Sequence, residues 1–356
     1  MIKNLLSLFL LFVFFGVTSS SYYSQQSYYN GIDFTKNGIA LKNDLAVKII
    51  NTHTNYLSYS PDVWEASKIT DINPNNSSQV LLIYGYSSTG ITSRTRGINE
   101  NGGNVGDWNR EHTYPRSLGN PNLGDTGPGA DAHHLRPSDV EYNGQRGNKK
   151  FANGSGNSGD VNGGWYPGDE WRGDVARMIM YMYLRYGDRC LPSSVGVGNS
   201  SKTPDEMIDL FLKWNAEDPV SDIEDARNNY HGNLNNTYAQ GNRNPFIDSP
   251  FLATKIWGNP PSGAQQPQDR WGTLSISKND MSQFTFYPNP AEGNSLFFKI
   301  SETITIQVFT ILGKQILSQK IDESTSQMDI TSLKSGIYLV KISSSKISIT
   351  KKLIKK

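Results

Sequence analysis

The sequence predicts an α+β domain followed by a small all-β module. Two observations carry that prediction. Residues 21–260 mix runs of helical spacing with a short apolar strand run and many turn residues, whereas residues 273–356 alternate short Ile, Val, Phe and Thr runs with Gly, Asn and Ser. Between them, residues 259–272 (NPPSGAQQPQDRWG) are rich in Pro, Gln and Gly and read as a linker. At 356 residues the chain exceeds one ordinary domain, which agrees with this division.

Taken in order, residues 1–20 read as a secretory signal: a basic start at Lys3, an apolar run from Leu5 to Val17, and small residues Thr18-Ser19-Ser20 for cleavage. The run is too short for a membrane span, so no span is expected once the signal is removed. The body, 21–258, then begins with apolar residues at helical spacing over Leu41–Asn51. Gln79–Tyr84 (QVLLIY) reads as a strand. Asp174–Tyr186 reads as a helix stopped by Gly187, and its Met and Tyr stripe reads as core packing. Pro204–Ala216 reads as a further helix with Pro in its first turn, and Gly241–Asp248 as a closing loop. In the tail, strands are expected at Leu296–Ile300, Ile304–Leu312, Ile337–Ile342 and Ile347–Ile354, which suggests a β-sandwich.

The composition, with 33 Gly, 17 Pro and 36% hydrophobic residues, is that of a loop-rich globular protein. The net charge of +1 is divided unevenly. Residues 21–260 hold 21 Lys and Arg against 26 Asp and Glu, a net of −5, and residues 261–356 hold 12 against 7, a net of +5. An acidic body argues against coating nucleic acid by charge alone, but it permits a local basic groove and a bound cation. Cys190 is the sole cysteine, so neither an internal disulfide nor a cysteine zinc site can form. It reads as a small core residue following a helix.

Chemistry concentrates between residues 107 and 150, which hold three of the five histidines. Glu111 and His112 are adjacent, and Asn143 follows His112 by 31 positions. A hard cation needs oxygen ligands such as Glu111 and Asn143. A water nucleophile needs a base titrating near neutrality, which His supplies. Phosphate oxygens suit guanidinium forks. Together these requirements describe metal-assisted phosphodiester hydrolysis. Each part has a plainer explanation when taken alone. Glu111 and His112 would point to opposite faces of a strand and share a site only at its end. Asp131 and His133, two apart, would share a strand face as a structural pair. His53 and His231 have no supporting company and read as structural or surface residues.

The pattern as a whole resembles the endonuclease I family of the His-Me finger (ββα-metal) nucleases. The resemblance rests on Asn109-Arg110-Glu111-His112-Thr113-Tyr114-Pro115, Asp131-Ala132-His133-His134-Leu135-Arg136-Pro137 and Asn143-Gly144-Gln145-Arg146-Gly147-Asn148, with later landmarks at Asp174–Met178, Trp214-Asn215 and Gly241–Phe246. It implies a ββα unit in which His112 is the general base and Glu111 and Asn143 hold Mg²⁺, with Ca²⁺ or Mn²⁺ open. Asp131 and His133 would give support. The implied products carry a 5′-phosphate and a 3′-hydroxyl. Some members place a phosphate-steadying arginine in a long loop after the His. That loop is short here, so Arg116, Arg136 and Arg146 all stand as candidates. DNA is the expected substrate, with RNA an alternative, and the expected state is a monomer.

The tail resembles the sorting domain of the type IX secretion system. The resembling segments are Phe286-Tyr287-Pro288-Asn289-Pro290-Ala291, Val308–Lys314, Leu333–Ile342 and the basic terminus Lys351–Lys356. It implies export through that machinery and a secreted or outer-surface location. Two rival readings are a non-catalytic surface adhesin and a phosphodiesterase restricted to small substrates.

Overall fold

The computed structural model describes residues 27–271, 285–300, 303–310, 314–322, 324–343 and 348–356. The signal-like segment 1–20 and residues 273–284 of the tail lie outside them. The chain divides into two compact units that meet at Arg270/Trp271.

The first unit mixes helices and small antiparallel sheets. Its helices are α1 (Gly38–Thr52), α2 (Asp62–Thr70), α3 (Val140–Arg146), α4 (Arg172–Tyr186), α5 (Pro192–Val195), α6 (Asp209–Glu217), α7 (Asp222–His231), α8 (Pro245–Asp248) and α9 (Phe251–Trp257). Strands β1 (Ile72–Asn73), β2 (Asn76–Leu81) and β3 (Thr95–Gly97) form one sheet. Strands β4 (Trp108–His112) and β5 (Leu135–Asp139) form a second, and β6 (Gly159–Val161) with β7 (Gly164–Tyr166) a third. The central element is α4. Every residue from Gly173 to Leu184 is buried, and the helix packs against α1 and α6. A helix enclosed on all sides cannot be amphipathic, so its Met and Tyr stripe is core. Gly187 ends it at φ 55°, a conformation that side chains with a Cβ rarely adopt.

Several sequence expectations need correction. The strand expected at Gln79–Tyr84 is β2, set three residues earlier, because Leu82–Gly85 leaves the sheet in a tight turn closed by Gly85 N–H donating to Leu82 O at 3.1 Å. The helix expected from Pro204 starts at Asp209 instead. The Thr203 hydroxyl donates to the Asp205 and Met207 carbonyls, and the Asp205 carboxylate accepts from Met207 N, which holds 203–207 as a turn. The closing loop 241–248 contains α8, capped by the Asn244 side chain accepting from Phe246 N. The far end of the expected linker is bonded to the first unit: Arg270 pairs with Asp225, and Phe251 N donates to Gln268 O. No helix among the described residues is long and apolar enough to cross a membrane.

The second unit is β-rich. Strands β8 (Thr285–Tyr287), β9 (Ser295–Lys299) and β12 (Gln327–Asp329) form a three-stranded sheet ordered β12-β9-β8. Strands β10 (Ile304–Thr310), β11 (Gln315–Ile321), β13 (Gly336–Ser343) and β14 (Ser348–Lys355) form a four-stranded one ordered β11-β10-β13-β14. Every pairing between these strands is antiparallel. Leu296, Phe298 and Met328 from the first sheet join Ile304, Ile306, Val308, Val340, Ile342 and Leu353 from the second in one apolar cluster.

Candidate active site

Strands β4 and β5 run antiparallel with Glu111 opposite Arg136 and His112 opposite Leu135, and α3 follows β5 without a break. Asp139 starts α3 by accepting from the backbone N–H of Glu141 and Tyr142, and is itself held by Arg96 at 2.7 Å. Glu111 and His112 thus end one strand, and Asn143 sits in the helix packed beside it. All three line one open cavity of about 660 Å³ with Tyr59, Arg110 and Arg116. The alternation of a strand would have separated Glu111 from His112. They share a site because β4 stops at His112.

His112 donates from Nε2 to the Gly129 carbonyl at 2.9 Å. A carbonyl can only accept, so Nε2 carries the proton and Nδ1 is the free acceptor. Gly129 can be nothing larger, since a Cβ there would stand 1.9 Å from Gly124 O. Burial, and then neighbouring His134, push the His112 pKa down to about 3, with Arg116 and Arg110 adding to the effect and the Gly129 bond opposing it. The ring is neutral at ordinary pH.

Glu111 is buried, and burial raises its pKa despite Arg146 and Tyr84. Tyr84 donates to Oε1 at 2.9 Å, and Arg146 Nε stands 3.4 Å from the same oxygen at ion-pair but not hydrogen-bond geometry. Both contacts fall on Oε1, and Glu111 lines the cavity. Asn143 donates from Nδ2 to Asn109 Oδ1 at 2.6 Å, which leaves its amide oxygen as the acceptor. Among the described residues no three His, Cys, Asp or Glu side chains gather as a cage for a metal ion. The donor set is instead one carboxylate and one amide oxygen. That set suits a hard cation that keeps most of its water, the habit of Mg²⁺.

The three arginine candidates separate clearly. Arg136 is buried between Asp71 at 2.6 Å and Asp174 at 3.0 Å, so it has no surface to offer a phosphate. Arg146 is equally buried and donates to the carbonyls of Thr113 and Gly147 at 3.0 Å, so it braces the backbone after His112. Arg146 and Arg116 both line the cavity, but of the three candidates Arg116 alone is exposed there, where it pairs with Asp125. Sequence reasoning missed Arg110, which lines the same cavity stacked over Tyr59 at 3.5 Å and Trp64 at 4.0 Å.

Asp131 and His133 do not share a strand face. His133 lies within a single 3-10 turn, Ala132–His134, and Asp131 caps that turn by accepting from His133 N. Asp131 also accepts from Tyr181 and Tyr186 at 2.8 Å and from Gln240 at 3.0 Å. Burial works to raise its pKa, but His53, His133 and Gln240 outweigh it, and the group stays ionised. His133 donates to Asn242 O at 3.2 Å. Neither residue reaches the cavity. They anchor the loop that presents the Gly129 carbonyl. His53 and His231 are both buried, so their role is structural and not at the surface.

The Endonuclease I family profile matches residues 37–251, and that of the secretion system C-terminal sorting domain matches 285–356. The extracellular ribonuclease of Bacillus subtilis (strain 168) is 43% identical over 249 residues, covering 67% of this chain and 81% of that protein. The extracellular ribonuclease of Bacillus amyloliquefaciens is 44% identical over 232 residues, covering 62% and 75%. The chain is therefore a nuclease carrying a type IX export address, destined for secretion or the cell surface. It belongs to the endonuclease I family. An adhesin reading leaves that match without a cause.

Proposed function

We propose that this protein is a metal-dependent endonuclease of the His-Me finger type that hydrolyses phosphodiester bonds in nucleic acid. The observation that carries the reading is the His112 ring, which lines the same cavity as Glu111 and Asn143 and whose Nε2 proton is committed to Gly129, so that Nδ1 is the nitrogen left to act as base. His112 Nδ1 takes a proton from water, and the hydroxide attacks phosphorus in line. A ring with so low a pKa is a weak base alone. An approaching phosphate, being anionic, raises its proton affinity during the step. Glu111 and the Asn143 amide oxygen would hold a divalent cation, Mg²⁺ by preference with Ca²⁺ or Mn²⁺ as alternatives, which when bound stabilises charge on the phosphoryl and leaving oxygens. Arg116 steadies the phosphate by exchanging Asp125 for it.

DNA and RNA are both proposed as substrates. The open cavity is lined largely by polar and charged side chains, which suit a phosphate backbone common to both polymers, and two relatives are named ribonucleases. The test is cleavage of plasmid DNA and of RNA by the full chain with Mg²⁺ or excess EDTA, beside His112→Ala. Cleavage should require the cation and fall about 10²–10⁴-fold in the variant. Cutting by His112→Ala at the parental rate removes the assigned base. Hydrolysis of small phosphodiesters with polymers spared would select the restricted phosphodiesterase instead.

A further inference from the structure

Glu111 and Asn143 stand on different elements, and a shared cation would require their separation to be fixed. Tyr84 occupies the position from which this can be done. It is the third residue of the Leu82–Gly85 turn, at φ 72°, a position where such turns favour Gly or Asn. The side chain is fully buried, and its hydroxyl donates to Glu111 Oε1 at 2.9 Å. Its carbonyl accepts from Ser158 Oγ at 2.5 Å. Ser158 in turn meets the Tyr142 hydroxyl at 2.8 Å, through both its Oγ and its carbonyl. Tyr142 is the residue before Asn143, and both tyrosine rings stand edge-on to Trp165, at 5.7 and 5.1 Å.

A Phe would fill the same apolar space, so packing does not explain a buried hydroxyl on a carboxylate. Nor does local preference explain a tyrosine in a left-handed backbone. A neutral donor can orient a carboxylate without cancelling its charge, which a cation ligand requires. Arg146, the other neighbour, lies at 3.4 Å without a hydrogen bond. We propose that Tyr84 is a positioning residue for the cation site: its hydroxyl sets Glu111, and its carbonyl, through Ser158, ties that carboxylate to the helix carrying Asn143. The inference rests on Glu111 and Asn143 being cation ligands.

Calorimetric titration of the full chain with MnCl₂ tests it, comparing the parent with Tyr84→Phe, Ser158→Ala and Glu111→Gln, together with cleavage as a function of Mg²⁺. Tyr84→Phe should bind Mn²⁺ about 10–100-fold more weakly, the usual cost of losing such an outer partner. Its cleavage should recover toward the parental rate at high Mg²⁺, which a general loss of structure would not allow. Ser158→Ala should lose less, and it decides the matter if Tyr84→Phe does not fold. Parental Mn²⁺ affinity in Tyr84→Phe, or in Ser158→Ala when that variant decides, with binding lost in Glu111→Gln, overturns the role of Tyr84 and leaves the site intact. If the parent binds no Mn²⁺, or Glu111→Gln binds it as the parent does, the cation site itself is wrong and this inference falls with it.

Discussion

The interior of the nuclease unit is threaded with charge, while the C-terminal unit is held by apolar contacts. In the nuclease unit Arg136 lies between Asp71 and Asp174, Arg227 also meets Asp71, Arg177 pairs with Glu224 at 2.6 Å, and Arg243 pairs with Asp248 at 2.6 Å, all buried. Among the described residues of the C-terminal unit, Lys355 is the one buried polar side chain. The cause lies in the backbone. Strand ladders satisfy their own N–H and C=O groups, and irregular loops do not. The segment leading into β5 is irregular, and side chains satisfy it: Arg227 donates to the carbonyls of Ala132 and Leu135, and Gln240 accepts from Ala132 N at 2.6 Å. A chain that must hold a histidine against one particular carbonyl needs buried polar partners. An export address built on regular strands does not.

The largest test of this contrast is Asp71→Ala. Removing that carboxylate leaves Arg136 and Arg227 without their shared partner in a buried setting, and breaking such a group costs about 3–5 kcal/mol. Six of the seven tryptophans lie at or before residue 257, so fluorescence during denaturation of the intact chain reads the nuclease unit. Its midpoint should drop sharply. A midpoint near the parental one would mean that the buried ions contribute little, and the contrast would then rest on the histidine network alone.

Acid should separate the two units next. All five histidines belong to the nuclease unit. Burial is the leading cause that pushes His133 and His134 down to about 4, and it also lowers His53 and His231. An unfolded histidine takes up a proton near pH 6.5 and these folded ones do not, so the unfolded state binds more protons between about 6.5 and 4. Their contribution is complete above pH 6.5 and is lost as pH falls toward 4, by up to about 1.4 kcal/mol per pH unit for each group. Asp218, raised to about 6 chiefly by burial, acts in the opposite sense and reduces the net slope. Thermal melts between pH 7.5 and 5 should show the tryptophan transition falling while C-terminal strand signals hold. A flat tryptophan transition would mean that these rings are protonated in the folded protein.

What the sequence made legible follows the same division. In the tail, period-two alternation located β9, β10, β13 and β14 to within a few residues, because burial on one face imposes that pattern directly. The edge strand β11 (QILSQKI) escaped notice because an edge with exposed Gln, Ser and Lys carries little of it. In the nuclease unit α4 was legible, whereas the largely polar α7 was not, although Ser221 and Glu224 form a capping box in plain view. Glu111, His112 and Asn143 could be picked out as a motif. Their supports could not: Gly129 is 17 residues from His112, Tyr84 is 27 from Glu111, and Asn109 is 34 from Asn143. The charges of Arg136 and Arg146 drew them toward phosphate in the sequence, and burial gives them to carboxylates and carbonyls instead.

The smallest effect belongs to the apolar unit. Ile306 is fully buried in β10, opposite Gln319 on β11 and Ile342 on β13, within the cluster that draws on both sheets. Ile306→Val deletes one methylene and should cost about 0.5–1.5 kcal/mol, because a packed cluster closes only partly over the gap. Hydrogen exchange on the intact chain should register the loss in β10 and β13. The tryptophan transition and the cleavage rate should stay at parental values, since no buried ion or loop carbonyl depends on this side chain. If nucleic acid cleavage fell as well, the two units would be energetically coupled, and the address could no longer be treated as separable from the enzyme it exports.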